Sequence, residues 1–147
     1  MMTNTQVRLV QQSWKIFQQM DPILIGSTFY SKLFAEHPQL KKLFPRAMEA
    51  QSVKLVDMLT SIVTRLERPS VARTQIEAMG VRHRQYGVKP AHYQMVGEAL
   101  LWTLQAAYGN AWHQDLQEAW EACYRDIAML MCPEAESKIV VSDTSCS

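Results

Sequence analysis

Three polar side chains stand at positions where the helical pattern calls for core residues, and their chemistry suits a buried ligand site. Tyr30, Gln51 and His83 each lie on an otherwise apolar stripe. Imidazole is a common metal ligand, while a Tyr hydroxyl and a Gln amide are hydrogen-bond donors. Burying a polar group without a partner costs about 1–3 kcal/mol. The three residues therefore predict either a site with a metal and a polar ligand, or internal hydrogen bonds that satisfy them.

The second explanation is the commoner one for any single residue of this kind. A His on an apolar helix face is more often a hydrogen-bonded core residue than a ligand, and a buried Tyr–Gln hydrogen bond is equally ordinary. The combination carries more weight, because three separate helices each direct one polar side chain inward. The apolar positions around them suit a flat apolar ligand: Phe29, Phe34, Phe44, Leu55, Val88, Val96 and Leu100.

Helices must position these residues, because apolar side chains recur with a period near 3.6 along almost the whole chain. The pattern predicts an all-α fold of about seven helices, with few Gly (5) and Pro (6) to form turns. We expect helices that begin near Thr3, at Pro22 and at Pro38, one over about 48–66, a short one ending near Arg84, and two over about 91–108 and 113–131.

A single domain and a tail account for the 147 residues. A chain of this size buries enough surface for one core, and its 48% hydrophobic and 20% charged residues are ordinary for a globular protein. The domain is predicted to span residues 1–132. The Ser-rich segment 133–147 follows the last apolar stripe and is predicted to be a disordered tail.

Charge and cysteine usage argue against several classes of partner. The net charge is +1 and no block of Lys or Arg forms a phosphate-binding stripe, so nucleic acid is not expected. No apolar run resembles a leader or is long enough to cross a bilayer, so no membrane is expected. Cys123, Cys132 and Cys146 lack CxxC spacing. We therefore expect reduced thiols in a cytoplasmic protein.

Three stretches of the chain resemble the globins, in particular single-domain bacterial haemoglobins, the globin part of flavohaemoglobins, and neuroglobin. The distal tyrosine and haem-packing phenylalanine stretch of flavohaemoglobins is similar to FYSKLFAEHPQLKKLF, residues 29–44. The distal stretch is similar to QSVKL, residues 51–55, and the proximal stretch to RHRQYGVKPAHYQMVGEALL, residues 82–101. The resemblance covers about residues 5–131 and implies a globin fold that binds haem b.

The resemblance also implies a role for each matching residue. His83 matches the proximal iron ligand, and its second ring nitrogen is expected to donate to the Met79 carbonyl one turn back. Tyr30 and Gln51 match the distal residues that hydrogen-bond an O₂ ligand, and Leu55 matches the apolar residue one turn further on. Further cofactor contacts are implied for Phe44, Lys54, Val88, Tyr93 and Val96, with Lys54 either reaching a haem propionate or remaining a solvated lysine.

The chain departs from each relative in one informative respect. Neuroglobin closes its sixth iron site with a distal histidine, whereas Gln51 is a poor iron ligand and is expected to leave that site open. Flavohaemoglobins carry a reductase domain, which is not expected within these 147 residues. The proximal glutamate of flavohaemoglobins has no clean match: the ungapped position is Ser137, with Glu134 and Glu136 nearby.

Three functions remain open at this point. The first is reversible binding of O₂, with NO and CO as further ligands, for O₂ scavenging or sensing. The second is an NO dioxygenase that works with a separate reductase. The third is a haem-free interaction module with a globin fold, which the set of Tyr30, Gln51 and His83 disfavours.

Overall fold

The computed structural model describes residues 2–135, and within them the chain forms helices and no β-strand. Six α-helices follow one another along the chain: α1 Asn4–Phe17, α2 Pro22–Glu36, α3 Met48–Thr64, α4 Pro69–Gln85, α5 Pro90–Tyr108 and α6 Gln114–Met131. Three 3-10 helices span Pro38–Leu43, Gly109–Ala111 and Pro133–Ala135. The all-α prediction is confirmed, and counting the six-residue 3-10 helix Pro38–Leu43 with the α-helices gives the expected seven.

Local sequence signals set the helix ends. The Thr3 hydroxyl accepts from the Gln6 backbone N–H at 3.1 Å, and the Gln6 side chain accepts from Thr3 N–H at 3.0 Å, which is a capping box. The Asp21 carboxylate caps α2 by accepting from the Ile23 backbone N–H at 2.9 Å. Helices α2, α4 and α5 all begin with proline, which suits a first turn because it has no N–H to leave unpaired.

Helix α4 is longer than the short helix expected before Arg84. It spans 17 residues, the same length as α3. The difference arises because most of the helix is exposed and polar, so only Ala72, Ile76, Met79 and Gly80 are buried along its length. A narrow buried stripe gives a weak periodic signal, although Pro69 correctly marks where the helix begins.

An aromatic cluster joins α1 to α6 and includes none of Tyr30, Gln51 and His83, which we call the polar triad. The rings of Trp14 and Trp120 lie 5.8 Å apart, and Phe17 packs against both. Trp120 Nε1 donates to Ser13 Oγ at 2.9 Å inside this core. Trp102, in contrast, is 45% exposed, and the Lys32 ammonium lies over its ring, 4.7 Å from the centroid.

Two glycines allow the close helix contacts that position the polar triad. A Cβ at Gly26 would lie 2.2 Å from Ser52 Cβ, so α2 and α3 can cross at this distance only with glycine here. A Cβ at Gly80 would lie 2.3 Å from the Met131 carbonyl oxygen, where α4 meets the end of α6. Tyr30 lies one turn after the first contact and His83 one turn after the second.

The end of the described chain includes the first residues of the predicted tail. Pro133–Ala135, assigned from sequence to the tail, form a 3-10 turn that contacts α5 and α6. Residues 136–147, which include Glu136, Ser137 and Cys146, lie outside the described residues. Over the part of the chain that is described, no helix combines the length and apolar character needed to cross a membrane.

Candidate functional site

His83 lies in the last turn of α4, half-buried, with one ring nitrogen already bonded. Its Nδ1 is 2.7 Å from the Met79 carbonyl oxygen. A carbonyl can only accept, so the proton lies on Nδ1 and Nε2 keeps a free lone pair. Burial lowers the pKa of His83, and the Arg82 charge adds to this while the Met79 hydrogen bond opposes it. The predicted hydrogen bond is therefore present, and the ring is oriented as a neutral ligand through Nε2.

The end of α4 is held against α6 by a contact that the sequence did not indicate. Arg84 Nη1 donates to the Met131 carbonyl at 2.9 Å. The same carbonyl faces Gly80, so backbone packing and a charged hydrogen bond act on one point of α6. This arrangement fixes the helix that carries His83.

Tyr93 lies in the first part of α5 with its side chain 5% exposed and its hydroxyl unpaired among the described residues. Burial raises the pKa of Tyr93 to about 12, Cys132 adds to the rise and Arg84 opposes it. Its backbone is fixed, because the Tyr124 hydroxyl donates to the Tyr93 carbonyl at 2.5 Å. Tyr93 is therefore a protonated donor held in place without an acceptor.

Glu134, one of the two carboxylates near the expected proximal position, does not pair with Tyr93. Glu134 is exposed, and its Oε2 accepts from the Cys132 thiol at 3.2 Å. The other two candidates, Glu136 and Ser137, lie beyond the described residues. Within residues 2–135, the Tyr93 hydroxyl thus lacks the glutamate partner that flavohaemoglobins provide.

Tyr30 faces a wall of aromatic side chains contributed by α2 and the segment after it. The ring centroids of Phe29, Phe44 and Phe34 lie 4.9, 5.2 and 5.8 Å from that of Tyr30, which is 4% exposed. Burial raises the pKa of Tyr30 to about 12. Among residues 2–135 its hydroxyl makes no hydrogen bond, so the Tyr–Gln bond of the simpler explanation is not formed.

Gln51 is buried in the first turn of α3, and one end of its amide is occupied. Its Oε1 accepts from the Arg46 backbone N–H at 3.2 Å. That donor identifies the bonded atom as oxygen, so the amide nitrogen keeps its two N–H groups for another acceptor. Gln51 and Tyr30 are thus both oriented as donors, on neighbouring helices that touch at Gly26 and Ser52.

Four apolar side chains that were expected to contact the cofactor or its ligand come from four segments and are not fully buried. Phe44, Leu55, Val88 and Val96 are packed against the core but remain half-buried. Lys54, next to Leu55 on α3, has an exposed side chain. Across the described residues, no three His, Cys, Asp or Glu side chains come together as a metal-binding cluster.

The structure adds residues that the sequence analysis had not assigned to the site. Ser52, Arg46, Arg84 and Met131 position the triad through backbone or close packing contacts. Only Gly26 and Gly80 could have signalled them, because glycine inside a helix is costly unless close packing requires it. The iron-ligand role of His83 and the distal roles of Tyr30 and Gln51 remain predictions.

The comparisons with known proteins point to one family. The sequence model of the family described as Globin matches residues 27–131. Leghemoglobin 29 of Vicia faba is 31% identical over 144 residues, which cover 90% of this chain and 97% of that protein. A flavohemoprotein of Vibrio cholerae is 26% identical over 133 residues, covering 88% of this chain and 34% of that protein. The chain therefore spans about a third of the length of that flavohemoprotein.

A solved structure extends the likeness to the fold. It is an engineered carbene transferase derived from a candidate nitric oxide dioxygenase of Rhodothermus marinus. The two chains superpose with a TM-score of 0.80 at 25% identity, covering 97% of this chain and 99% of that one.

Proposed function

Because this chain belongs to the globin family and as such binds haem b, we propose that it is an O₂-binding protein in which His83 holds the iron and Tyr30 and Gln51 hydrogen-bond the ligand. Haem b supplies an iron centre with one exchangeable axial position. The protein's own residues decide how the cofactor is held and how its ligand is retained.

The residues present fit this cofactor. His83 presents Nε2 with its ring orientation fixed by Met79, and one axial His suffices to hold a haem iron. The half-buried Phe44, Leu55, Val88 and Val96 offer apolar surface for a flat macrocycle. Lys54, exposed on α3, is proposed to reach a propionate carboxylate. The unpaired Tyr93 hydroxyl is proposed to lie against the cofactor on the His83 side.

The observation that carries the proposal is Tyr30: its side chain is 4% exposed within an aromatic wall, and its hydroxyl makes no hydrogen bond among residues 2–135. That hydroxyl is not one of the fully enclosed unpaired atoms, so it stays accessible to a ligand that accepts a hydrogen bond. The raised pKa of Tyr30, about 12, keeps the proton on the donor. Gln51 adds a second donor through its amide nitrogen.

Two donors to one ligand favour slow release and tight binding of O₂. Tight binding suits scavenging or sensing of O₂ better than bulk delivery, because a delivery protein must release its ligand readily. NO and CO are proposed as further ligands of the same position. CO is much less polar than O₂ at such a site, so the two donors should discriminate between the gases.

The visible spectrum of the reduced protein, with and without CO and O₂, tests the proposal directly. We expect a Soret band that shifts with each gas and returns when the gas is removed. A ferrous spectrum that is unchanged by O₂ and CO would contradict an open ligand position. Protein that purifies without any Soret band and does not take up added haem would favour the interaction module instead.

NO dioxygenation is the second candidate function, and it would use the same residues. The flavohemoprotein relatives and the Rhodothermus marinus protein favour it. The reaction consumes one NO, one O₂ and one electron and yields one nitrate, so it requires a separate reductase to supply the electron. Nitrate formed in many turnovers per haem, in the presence of NADH and a reductase, would establish it.

A cytoplasmic location is part of the same proposal. Cys123 and Cys132 form no disulfide in the described chain, while Cys146 lies outside it. Burial raises the pKa of Cys123 to about 12, with Asp126 adding to the rise, so this thiol is unreactive. Reduced thiols are typical of proteins kept in a reducing compartment.

A further inference from the structure

The charges of this chain are separated along the fold although they almost cancel in total. Residues 37–92 contain ten Lys and Arg against four Asp and Glu. Residues 93–135 contain one against six. The first segment holds the 3-10 helix Pro38–Leu43, α3 and α4, and the second holds nearly all of α5 and α6. Positive charge is therefore concentrated in one segment of the chain and negative charge in another, and an uneven charge distribution of this kind can orient charged partners.

Part of the positive charge collects at one corner, where the end of the 3-10 helix meets the turn between α4 and α5. Leu43 Cδ2 lies 3.8 Å from where a Gly87 Cβ would be, which brings the two segments into contact. The Lys89 backbone N–H donates to His92 Nδ1 at 3.0 Å. Lys42 precedes Leu43 and Lys89 follows Gly87 by two residues, so the contact between the two segments brings both lysines to this corner. Burial lowers the pKa of His92, and the charges of Lys89 and Lys42 lower it further.

Among residues 2–135, neither Lys42 nor Lys89 takes part in an ion pair of the kind that joins Lys32 to Glu36 and Arg73 to Glu77. Both lysines are exposed. We call Lys42, Lys89, His92 and Tyr86 the basic corner.

Tyr86 adds an exposed aromatic side chain to the basic corner and lies close to His83, the proposed iron ligand. Its side chain is 66% exposed at the C-terminal end of α4, and its ring centroid lies 6.4 Å from that of His83. Exposed tyrosines beside charged residues are typical anchors of protein interfaces. A partner seated on Tyr86 would be within one ring contact of the proposed iron ligand.

We propose that the basic corner is the docking surface for an acidic electron-donor protein, such as a flavoprotein, which reduces the ferric haem iron by one electron. The inference rests on the proposed haem function. The donor loses one electron and the iron gains it, so ferric iron becomes ferrous and no covalent bond or proton is involved. Electrostatic complementarity at such a surface acts mainly on the rate of encounter and is weakened by salt.

Charge reversal at the corner, with a matched reversal elsewhere, tests the proposal. The variant is K42E/K89E and the control is R8E/K15E, which changes the net charge equally at two exposed positions of α1. The probe is reduced flavodoxin, an acidic FMN protein, mixed with the ferric haem protein by stopped flow. We expect K42E/K89E to be reduced at least about tenfold more slowly at low salt. The control should stay within about twofold, and the difference should vanish at high salt. Equal rates for the two variants would overturn the proposal.

Zero-length cross-linking provides a readout that does not depend on electron transfer. Carbodiimide should join flavodoxin carboxylates to the amines of Lys42 and Lys89 in the wild-type protein, as mapped by peptide mass spectrometry. Cross-links found instead at Lys15 and Lys32 would overturn the proposal. Tyr86→Ala should reduce the cross-linking yield without changing the salt dependence of reduction, because it removes the anchor and leaves the charge.

Two further measurements separate this inference from its alternatives. Haem content and O₂ uptake should be the same in wild type and K42E/K89E. A wild-type protein that fails to bind O₂ contradicts the proposed function, while its cross-links and reduction rate still decide the docking surface. Vesicles containing phosphatidylglycerol test the competing partner. Sedimentation of wild type but not of K42E/K89E with them, combined with equal flavodoxin rates, would assign the corner to a membrane surface and overturn the proposal.

Discussion

The two walls of the site satisfy their polar groups in opposite ways. On the α4 side, His83 is bonded to Met79, and its helix is tied to α6 through Arg84 and Met131. On the α2–α3 side, the Tyr30 hydroxyl has no partner among residues 2–135, and the Gln51 amide nitrogen is likewise unpaired there. The first wall is arranged before any ligand arrives. The second is completed only by a ligand.

The α4 side should therefore govern how tightly the cofactor is held, and the α2–α3 side should govern how strongly the different gases are bound. The hydrogen bond that orients the His83 imidazole forms when the chain folds. The ring therefore needs no reorientation to bind the cofactor, and the bond contributes to cofactor affinity. Donors without acceptors contribute only when a polar ligand appears, and they contribute most to the ligand that carries most negative charge. Tyr93 is the exception on the His83 side, because its buried hydroxyl also lacks a partner there.

The largest effect is expected from His83→Ala, which should abolish stable haem binding. Helix α4 contains no other histidine, so no neighbouring imidazole on it can replace the ligand. Loss of haem should also lower the melting temperature, since a ligand at 100 times its dissociation constant adds about 2.7 kcal/mol. Haem content per protein after gel filtration measures the effect, with His37→Ala as the control. Full haem content in His83→Ala would show that another residue holds the iron.

Tyr30→Phe should accelerate O₂ release on the order of ten- to a hundredfold and change CO release little. A hydrogen bond to a charged acceptor contributes about 1.5–3 kcal/mol, and about 1.4 kcal/mol corresponds to a factor of ten. Stopped-flow ligand replacement measures both rates. Gln51→Leu should have a smaller effect, and the double variant should exceed either single change. Equal small effects on both gases would mean that Tyr30 only packs against its aromatic neighbours.

Alanine substitutions at Gly26 and Gly80 should affect the two sides of the site differently. Gly26→Ala and Gly80→Ala each place a methyl group against backbone atoms, and overpacking of this kind costs about 1–3 kcal/mol. Gly26→Ala should chiefly change O₂ release, because it displaces Tyr30 and Gln51. Gly80→Ala should chiefly weaken haem retention, because it displaces His83. Urea unfolding and both ligand assays decide this, and identical profiles for the two variants would refute the division.

Tyr93→Phe should have a small effect on stability that differs between the haem-free and the haem-bound protein. Removing an unpaired buried hydroxyl should leave the haem-free protein as stable or raise its unfolding free energy by up to about 1 kcal/mol. The haem-bound protein should not gain if the hydroxyl meets an acceptor there. Tyr124→Phe is the control, because its hydroxyl is bonded and its loss should cost about 1 kcal/mol. Destabilisation of haem-free Tyr93→Phe would show that the hydroxyl already has a partner.

The smallest effect is expected when pH is varied and the O₂ release rate is measured. Burial raises the pKa of Tyr30 to about 12, so the donor stays protonated and the O₂ release rate should be flat between about pH 6 and 9. The raised pKa favours the folded state below the ordinary value near 10, and this contribution is lost as pH rises through about 12. A release rate that rises several-fold below pH 9 would show that another titrating group controls the ligand.

The helices and the polar triad follow from the sequence alone. Periodic apolar residues and the prolines at Pro22, Pro69 and Pro90 specify where helices lie, because both act over a few residues. The same periodicity places Tyr30 and His83 on inward faces. Even the bond between His83 and Met79 could be predicted, since both residues belong to one helical turn.

Contacts between distant segments were decided only by the tertiary structure. The exposure of Trp102, the hydrogen bond from Arg84 to the Met131 carbonyl and the basic corner all depend on how distant segments meet. A residue's own neighbours in sequence determine its helix face, but they do not determine which other helix covers that face. Burial, and with it the pKa of Tyr30 and the missing partner of Tyr93, is a property of packing. Packing is collective, because each side chain's surroundings depend on the whole chain at once.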